Sequence, residues 1–253
     1  MEITLLGTGT SQGVPVVACD CKVCSSDDPL DQRLRTSAMV RQGATCIVID
    51  AGPDFRQQLL REKVKTLDAV ILTHGHKDHI GGIDDVRSFN WVQGRAMDIY
   101  GTEEVLKLVK NDFGYAFAPH KYPGVPDINL HTIDYQPFSI GELEIVPIKA
   151  MHHLLPVLGF RIGDFSYLTD ANHVESHELD KMRNSQVLVI NALRKKKHLS
   201  HFNLEEALSI IKELSPKVAF LTHLSHQMGL HKEIQKELPP NVFVGYDGLS
   251  FRI

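Results

Sequence analysis

The segment Thr73-His74-Gly75-His76-Lys77-Asp78-His79 constrains this chain more than any other feature. It directly follows the apolar run Ala69–Leu72, which reads as a short buried strand. Four groups able to bind a metal are therefore set on a turn at a strand end. Imidazole and carboxylate suit zinc, manganese or iron, and a turn lets alternate side chains converge on one point. Asp78 is also a candidate proton acceptor, since positioned carboxylates serve as general bases.

The other half of such a site is scattered along the sequence. His152 and His153 follow a strand that ends near Ile148, Asp170 ends Ser166–Thr169, and His223 ends Ala219–Thr222. Each lies just beyond an apolar run, as the histidine-rich turn does. Active sites in sheet proteins gather at strand ends, where rigid elements hold loops in place. A lone histidine there is usually a surface or core-edge residue, but four such positions in one chain point to a shared site.

The rest of the pattern reads as strands at Ile3–Leu6, Thr45–Asp50, Asp68–Leu72, Met97–Tyr100, Leu143–Ile148, Gly159–Ile162, Phe165–Thr169, Val187–Ile190, Val218–Leu221 and Val242–Val244. Helices are expected at Pro53–Lys63, Glu103–Lys110, Leu204–Leu214 and Ser225–Leu238. Strands outnumber helices, and several are joined by tight turns such as Ile162-Gly163-Asp164-Phe165. That favours an α/β (α+β) class chain, a mixed sheet sandwich flanked by helices, over a doubly wound parallel sheet. No repeat or linker interrupts residues 1–253, which are read as a single domain. A chain this long can build its core without disulfides. The net charge of −4 argues against a nucleic-acid partner. MEITLLGTGTSQG lacks a basic, apolar leader pattern, and no stretch approaches the roughly 18 apolar residues of a membrane span. The expected setting is cytoplasmic, with no membrane partner.

Three of the four cysteines crowd into Cys19-Asp20-Cys21-Lys22-Val23-Cys24. In an intracellular chain such a cluster reads as a metal site before it reads as disulfides. A structural zinc takes four ligands, and the fourth is left open among the histidines. The cluster sits in a loop running from Thr8 to about Thr36, which a metal would hold folded where its sparse apolar content would not. Free or redox-active thiols are the alternative. Cys46, in a buried strand, is expected in the core.

His-x-His-x-Asp-His after a strand resembles the hallmark of the metallo-β-lactamase superfamily, and the later ligands fall in the order that family shows. The resemblance implies an αββα sandwich with a dinuclear metal site on one edge. It assigns His74, His76 and His153 to one metal, Asp78, His79 and His223 to the other, and Asp170 as the bridge. His153 is preferred to His152 because His153-Leu-Leu-Pro-Val-Leu-Gly159 matches the family's spacing; His152 would then stand behind the ligands. The opening Gly7–Pro15, the cysteine cluster, Leu221–Gln227 and Val244–Gly248 narrow the resemblance to PhnP-type cyclic phosphodiesterases. In that branch the fourth ligand of the cysteine site matches His226, which makes Cys19, Cys21, Cys24 and His226 a structural zinc site.

The implied activity is hydrolysis of a small phosphodiester, cyclic or linear and of phosphoribosyl type, with two divalent metals, zinc or manganese, in the active site. His201, in Ser200-His201-Phe202-Asn203, is the candidate acid for the leaving group, with His198 its local rival. The run Arg194-Lys195-Lys196-Lys197 is either a solvated face or a steering patch for an anion. A ribonuclease Z-type endonuclease, a thioesterase or lactonase, and a non-catalytic scaffold are the alternatives. The resemblance also suggests a homodimer.

Overall fold

A computed structural model describes all 253 residues. The first sheet is built from β1 (Glu2–Gly7), β2 (Ser37–Gln42), β3 (Thr45–Ile49), β4 (Ala69–Ile71), β5 (Met97–Gly101) and β6 (Ile128–Thr132), in that spatial order. The second contains β7 (Phe138–Ile140), β8 (Leu143–His152), β9 (Leu155–Ile162), β10 (Phe165–Leu168), β11 (His173–Val174), β12 (Val187–Asn191), β13 (Val218–Thr222) and β14 (Val242–Val244). Its order is β11-β8-β9-β10-β12-β13-β14, with β7 on β8. The last strand, β15 (Ser250–Arg252), returns to pair with β1.

Alternation along each strand decides what lies between the sheets. Ile47 and Ile49 of β3 face inward, with Ile3, Leu5 and Ile71, against Phe160, Phe165, Tyr167 and Val189 of the second sheet. Cys46 and Val48 face outward and meet Phe55 and Leu59 of α1 (Phe55–Arg61), Ile80 of α2 (Lys77–Ile80), Phe89 of α3 (Arg87–Gln93) and Val105 of α4 (Glu103–Asp112). On the far side, α5 (Ser176–Asp180), α6 (Leu204–Leu214) and α7 (His231–Gln235) cover the second sheet with Leu179, Ile211 and Ile234. Each fully buried aliphatic side chain contributes roughly 1.5–3 kcal/mol. The layers are helix, sheet, sheet, helix, which is the expected αββα sandwich, and Cys46 lies in its core as expected.

Both sheets are parallel where the site forms. β3, β4, β5 and β6 run parallel, as do β10, β12, β13 and β14. Parallel register aligns strand ends, so Ile49 lies beside Ile71, and Asn191 beside Thr222. The loops leaving β3, β4, β10 and β13 therefore emerge along one edge. Gly52, just after β3, passes under the histidine-rich turn so closely that a Cβ there would lie 2.0 Å from the Asp78 carbonyl oxygen.

Three local expectations need correction. Ser225–Leu238 is not one helix; only His231–Gln235 is helical. Ser225 N and Oγ both donate to the Leu193 carbonyl, and Gly229 has φ +117, so the segment is held as a turn. The strand expected to end at Ile148 continues to His152, because β8 pairs with β9 as far as His152 opposite Leu155. β9 likewise begins at Leu155, ahead of the expected Gly159. The long loop of residues 8–36 is tied down by hydrogen bonds. Gly9 N donates to the Leu34 carbonyl, Val14 and Arg33 exchange backbone hydrogen bonds, and the buried Arg33 guanidinium donates to Thr8 Oγ1 and the Gly245 carbonyl. No helix is long and apolar enough to cross a membrane.

Candidate metal centre

The turn after β4 is anchored by a residue that the sequence pattern did not single out. Asp50 is fully buried at the end of β3 and accepts from Thr73 N and Thr73 Oγ1, both at 2.8 Å. It also accepts from His79 Nδ1 at 2.7 Å. This fixes the His79 ring with Nε2 directed at the cluster, 3.2 Å from both Asp78 Oδ2 and Asp170 Oδ2. His223 Nδ1 lies 3.0 Å from Asp170 Oδ2, and its other ring nitrogen meets Thr10 Oγ1 at 3.2 Å. His74 Nε2 lies 3.0 Å from His76 Nδ1.

The side chains fall into overlapping sets whose ligand atoms lie within 4.8 Å of one another: His74, His76 and His152; His74, His79 and Asp170; Asp78, Asp170 and His223; His152, Asp170 and His201. Asp170 is common to three of the four, the place expected of a bridge. Asp50, Asp170 and His223 all take the left-handed backbone region, with φ of +65, +55 and +55. Such conformations cost energy in residues other than glycine and recur at functional sites. Here they let the chain end a strand and turn its side chain into the cluster.

The donor set fits divalent cations. His79 Nε2, His201 Nδ1 and His223 Nδ1 are buried yet have no hydrogen-bond partner, although carboxylate oxygens lie 3.0–3.8 Å away. An unsatisfied buried polar atom costs about 1–3 kcal/mol, so those of His79 and His223, both aimed at Asp170, indicate a shared cation, while that of His201 is left for a group outside the ligand set. The outer ring nitrogens are engaged: His79 Nδ1 with Asp50 and His152 Nδ1 with the Ser200 carbonyl at 2.7 Å. Metal-binding histidines are oriented in this way. Burial disfavours charge on both Asp170 and His79, but their mutual attraction and the nearby His223 and Asp50 outweigh it. Asp170 is held well below the carboxylate range and His79 well above the imidazole range.

One ligand expectation is not met. His153 is exposed, has φ +57, and its backbone N–H is tied to Asn172 Oδ1 at 2.6 Å. It joins none of the ligand sets, whereas His152 does. The extra length of β8 is the reason. His152 is still in the strand, where its ring packs 5.1 Å from His76 and 5.7 Å from His74. His153 is already in the reversal toward β9. The other sequence candidates, His74, His76, Asp78, His79, Asp170 and His223, all fall within those sets.

His201 also reaches the centre. Its ring stacks on His223 at 4.7 Å and packs on His152 at 4.5 Å, with Nδ1 3.8 Å from Asp170 Oδ1. The α6 capping box holds it there. Asn203 Oδ1 accepts from Glu206 N, and Glu206 Oε2 accepts from Asn203 N, fixing the chain two residues after His201. His198 is farther out, 5.2 Å from the His201 ring, and engages Ser200. In the basic run, Lys195 pairs with Glu237 and Lys197 lies 3.8 Å from Glu206, whereas Arg194 donates to the neutral Gln227 amide and, like Lys196, has no ion pair.

The cysteine site closes in three dimensions. The Sγ atoms of Cys19, Cys21 and Cys24 lie 3.2, 3.4 and 3.4 Å from His226 Nδ1. A tetrahedral zinc with ordinary bond lengths would set such pairs about 3.6 Å apart. The Cys24 N–H donates to Cys21 Sγ and, with His226, outweighs burial to draw that thiol down to about 6, while burial pushes Cys24 up to about 11. His226 arrives in the same turn that follows His223, so the two sites are joined by two residues. All four cysteines are free of disulfides.

Asp50 gives a first test. Asp50→Asn should weaken metal binding or activity by about 10–100-fold, the range for partners that orient metal-binding histidines. Metal titration of the apo protein checks this; unchanged affinity and rate would remove Asp50 from the site.

Residues 45–224 match the family described as the beta-lactamase superfamily domain. A crystal structure described as a new diphosphatase from the PhnP family superposes with a TM-score of 0.93 at 36% identity, covering 100% of this chain and 97% of that one. Zn(2+)-bound PqqB from Methylobacterium extorquens has the same fold, with a TM-score of 0.80, 17% identity and full coverage of both chains. A ribonuclease Z of Mycobacterium bovis is 30% identical over 77% of this chain and 71% of its own length. A Porphyromonas gingivalis protein named octanoyltransferase is 41% identical over 99% of this chain, which spans only 51% of that relative. With its strand-end ligands converging on Asp170 and its family match covering more than half its length, this chain belongs to the metallo-β-lactamase superfamily.

Proposed function

We propose that this chain is a phosphodiesterase acting on small phosphodiesters with two divalent metals, zinc or manganese. His74, His76, His152, Asp78, His79, Asp170 and His223 would hold them, and Cys19, Cys21, Cys24 and His226 would hold a structural zinc. Metals bound in the active site would lower the pKa of water and neutralise charge on phosphoryl oxygens. One observation carries the reading: His201 brings an unpartnered buried nitrogen to the same point as the ligand sets, where a leaving group needs a proton.

In the reaction a water oxygen bonds to phosphorus and the ester P–O bond breaks. Asp78, ionised beside His79, is placed to accept the water's proton, and His201 to donate one to the departing oxygen. Burial, reinforced by His223, pulls His201 down to about 3, so it is neutral in the free protein. An anionic phosphodiester against the ring favours its protonated form.

The PhnP-family diphosphatase and the ribonuclease Z both carry names that denote cleavage at phosphate, which supports this substrate class. Precursor tRNA is the second reading. The net charge of −4 and the ion pairs of Lys195 with Glu237 and Lys197 with Glu206 weigh against it. Octanoyl transfer is the name of a protein about twice as long and is not assigned to this chain. Metal-loaded protein should cleave bis(p-nitrophenyl) phosphate and leave precursor tRNA intact; the reverse outcome would favour the endonuclease.

His201 is tested by the leaving group. A general acid contributes about 10²–10⁴-fold, and only where the departing oxygen needs a proton. His201→Ala should therefore slow an alkyl leaving group far more than a nitrophenolate, with metal content unchanged. Equal losses would place His201 in substrate binding instead, and lost metal would make it a ligand.

A further inference from the structure

A cleft of about 490 Å³ opens beside the cluster. It touches the cluster at His74 and His76, while His152, Asp170, His201 and His223 are not among its walls. Half of its twelve lining residues are aliphatic: Val105 and Leu108 from α4, and Leu155, Pro156, Val157 and Leu158 from β9. Leu108 and Leu155 are 46% and 39% exposed, so folding leaves apolar surface in water next to a polar centre. Gly75, between the two histidines, keeps the passage open; a Cβ there would lie 2.4 Å from Leu108 Cδ1.

Charge divides the two flanks. The only carboxylate or ammonium group lining the cleft is that of Glu104, and no Lys or Arg lines it. The basic run lies on the other flank, where the Arg194 carbonyl accepts from Leu204 N just past His201. The cleft therefore disfavours a second anionic group. It also offers few edges for a nucleobase: besides the two histidines its polar side chains are Glu104, Thr102, whose Oγ1 already accepts the N–H of Val105, and Tyr135, whose ring face carries Lys149 at 4.9 Å.

We infer that the cleft holds the retained ester group of the substrate, and that this group is an uncharged aliphatic chain. The phosphorus then lies at the cluster, the chain runs past His76 along Leu108 and Leu155, and the leaving oxygen faces His201. This rests on the phosphodiesterase reading.

Three p-nitrophenyl phosphodiesters with the same leaving group test it on the metal-loaded full chain: methyl, octyl and thymidine 5′-esters. The octyl ester should exceed the methyl ester at least tenfold in kcat/KM. Leu108→Asp should erase that advantage, while Leu60→Asp, on an exposed leucine outside the cleft, should preserve it. Equal values for octyl and methyl esters overturn the inference but leave the phosphodiesterase reading standing. Preference for the thymidine ester overturns it in favour of a base. Calorimetry with octyl and methyl esters of methylphosphonate separates the two readings. If no diester is hydrolysed but the octyl compound binds at least tenfold tighter, the cleft assignment holds and the reaction is wrong. If it binds no tighter, the cleft assignment falls.

Discussion

Asp170→Asn is expected to lower turnover by at least about 10²–10³-fold, the scale on which removing one preorganised electrostatic group acts, and to reduce bound metal. Asp170 shares three ligand sets, and its two oxygens face His79, His223 and His201. An amide keeps the size and, like a carboxylate, tolerates the left-handed backbone at φ +55. Asp170 is buried but adds no side chain to the apolar clusters around Leu168 and Ala171, so the variant is expected to fold, which its melting temperature checks. What changes is the negative charge between buried histidines and the second oxygen able to bind a cation. Elemental analysis and steady-state rates on the same preparation check this. Full turnover with unchanged metal content would remove Asp170 from the centre of the mechanism.

The second large effect is on stability. Cys21→Ser should release zinc from the cysteine site and lower stability by several kcal/mol, on the order of 3–5, because structural zinc contributes binding energy directly to folding. The early loop buries few apolar groups of its own; Val17 is exposed, and Val14 and Val23 are its main buried aliphatics. A closed site across Cys19, Cys21, Cys24 and His226 fastens that loop to the turn after β13. Zinc content should fall by one ion per chain, and the melting temperature with it. Loss of activity should be smaller than for Asp170→Asn, since His226 reaches the active centre only through the two residues that separate it from His223. Unchanged zinc content and melting temperature would show that the thiols hold no metal.

The sequence by itself determined the parts of this protein that are local. An apolar run followed by His-Gly-His-Lys-Asp-His places ligands at a strand end, because the run must be buried and the polar turn must leave it. The same logic located Asp170 and His223, and the spacing of three cysteines marked a candidate metal site still lacking a fourth group. Asp50 carries the same signal, an acid closing the apolar run Thr45–Ile49 as Asp170 closes Ser166–Thr169. Tertiary structure decided the rest. His152 rather than His153 joins the ligand sets because β8 is prolonged by hydrogen bonds to β9, and that pairing leaves no periodic mark in Ala150-Met151-His152-His153-Leu154. His226 reaches the cysteines across two hundred residues because Thr8, Leu193 and Ser225 pin its turn. The cleft beside His76 exists because α4 and β9, distant in sequence, pack on either side of Gly75. A residue's type and its neighbours fix what it can bind; which groups share a point depends on how two sheets stack and where their parallel strands end.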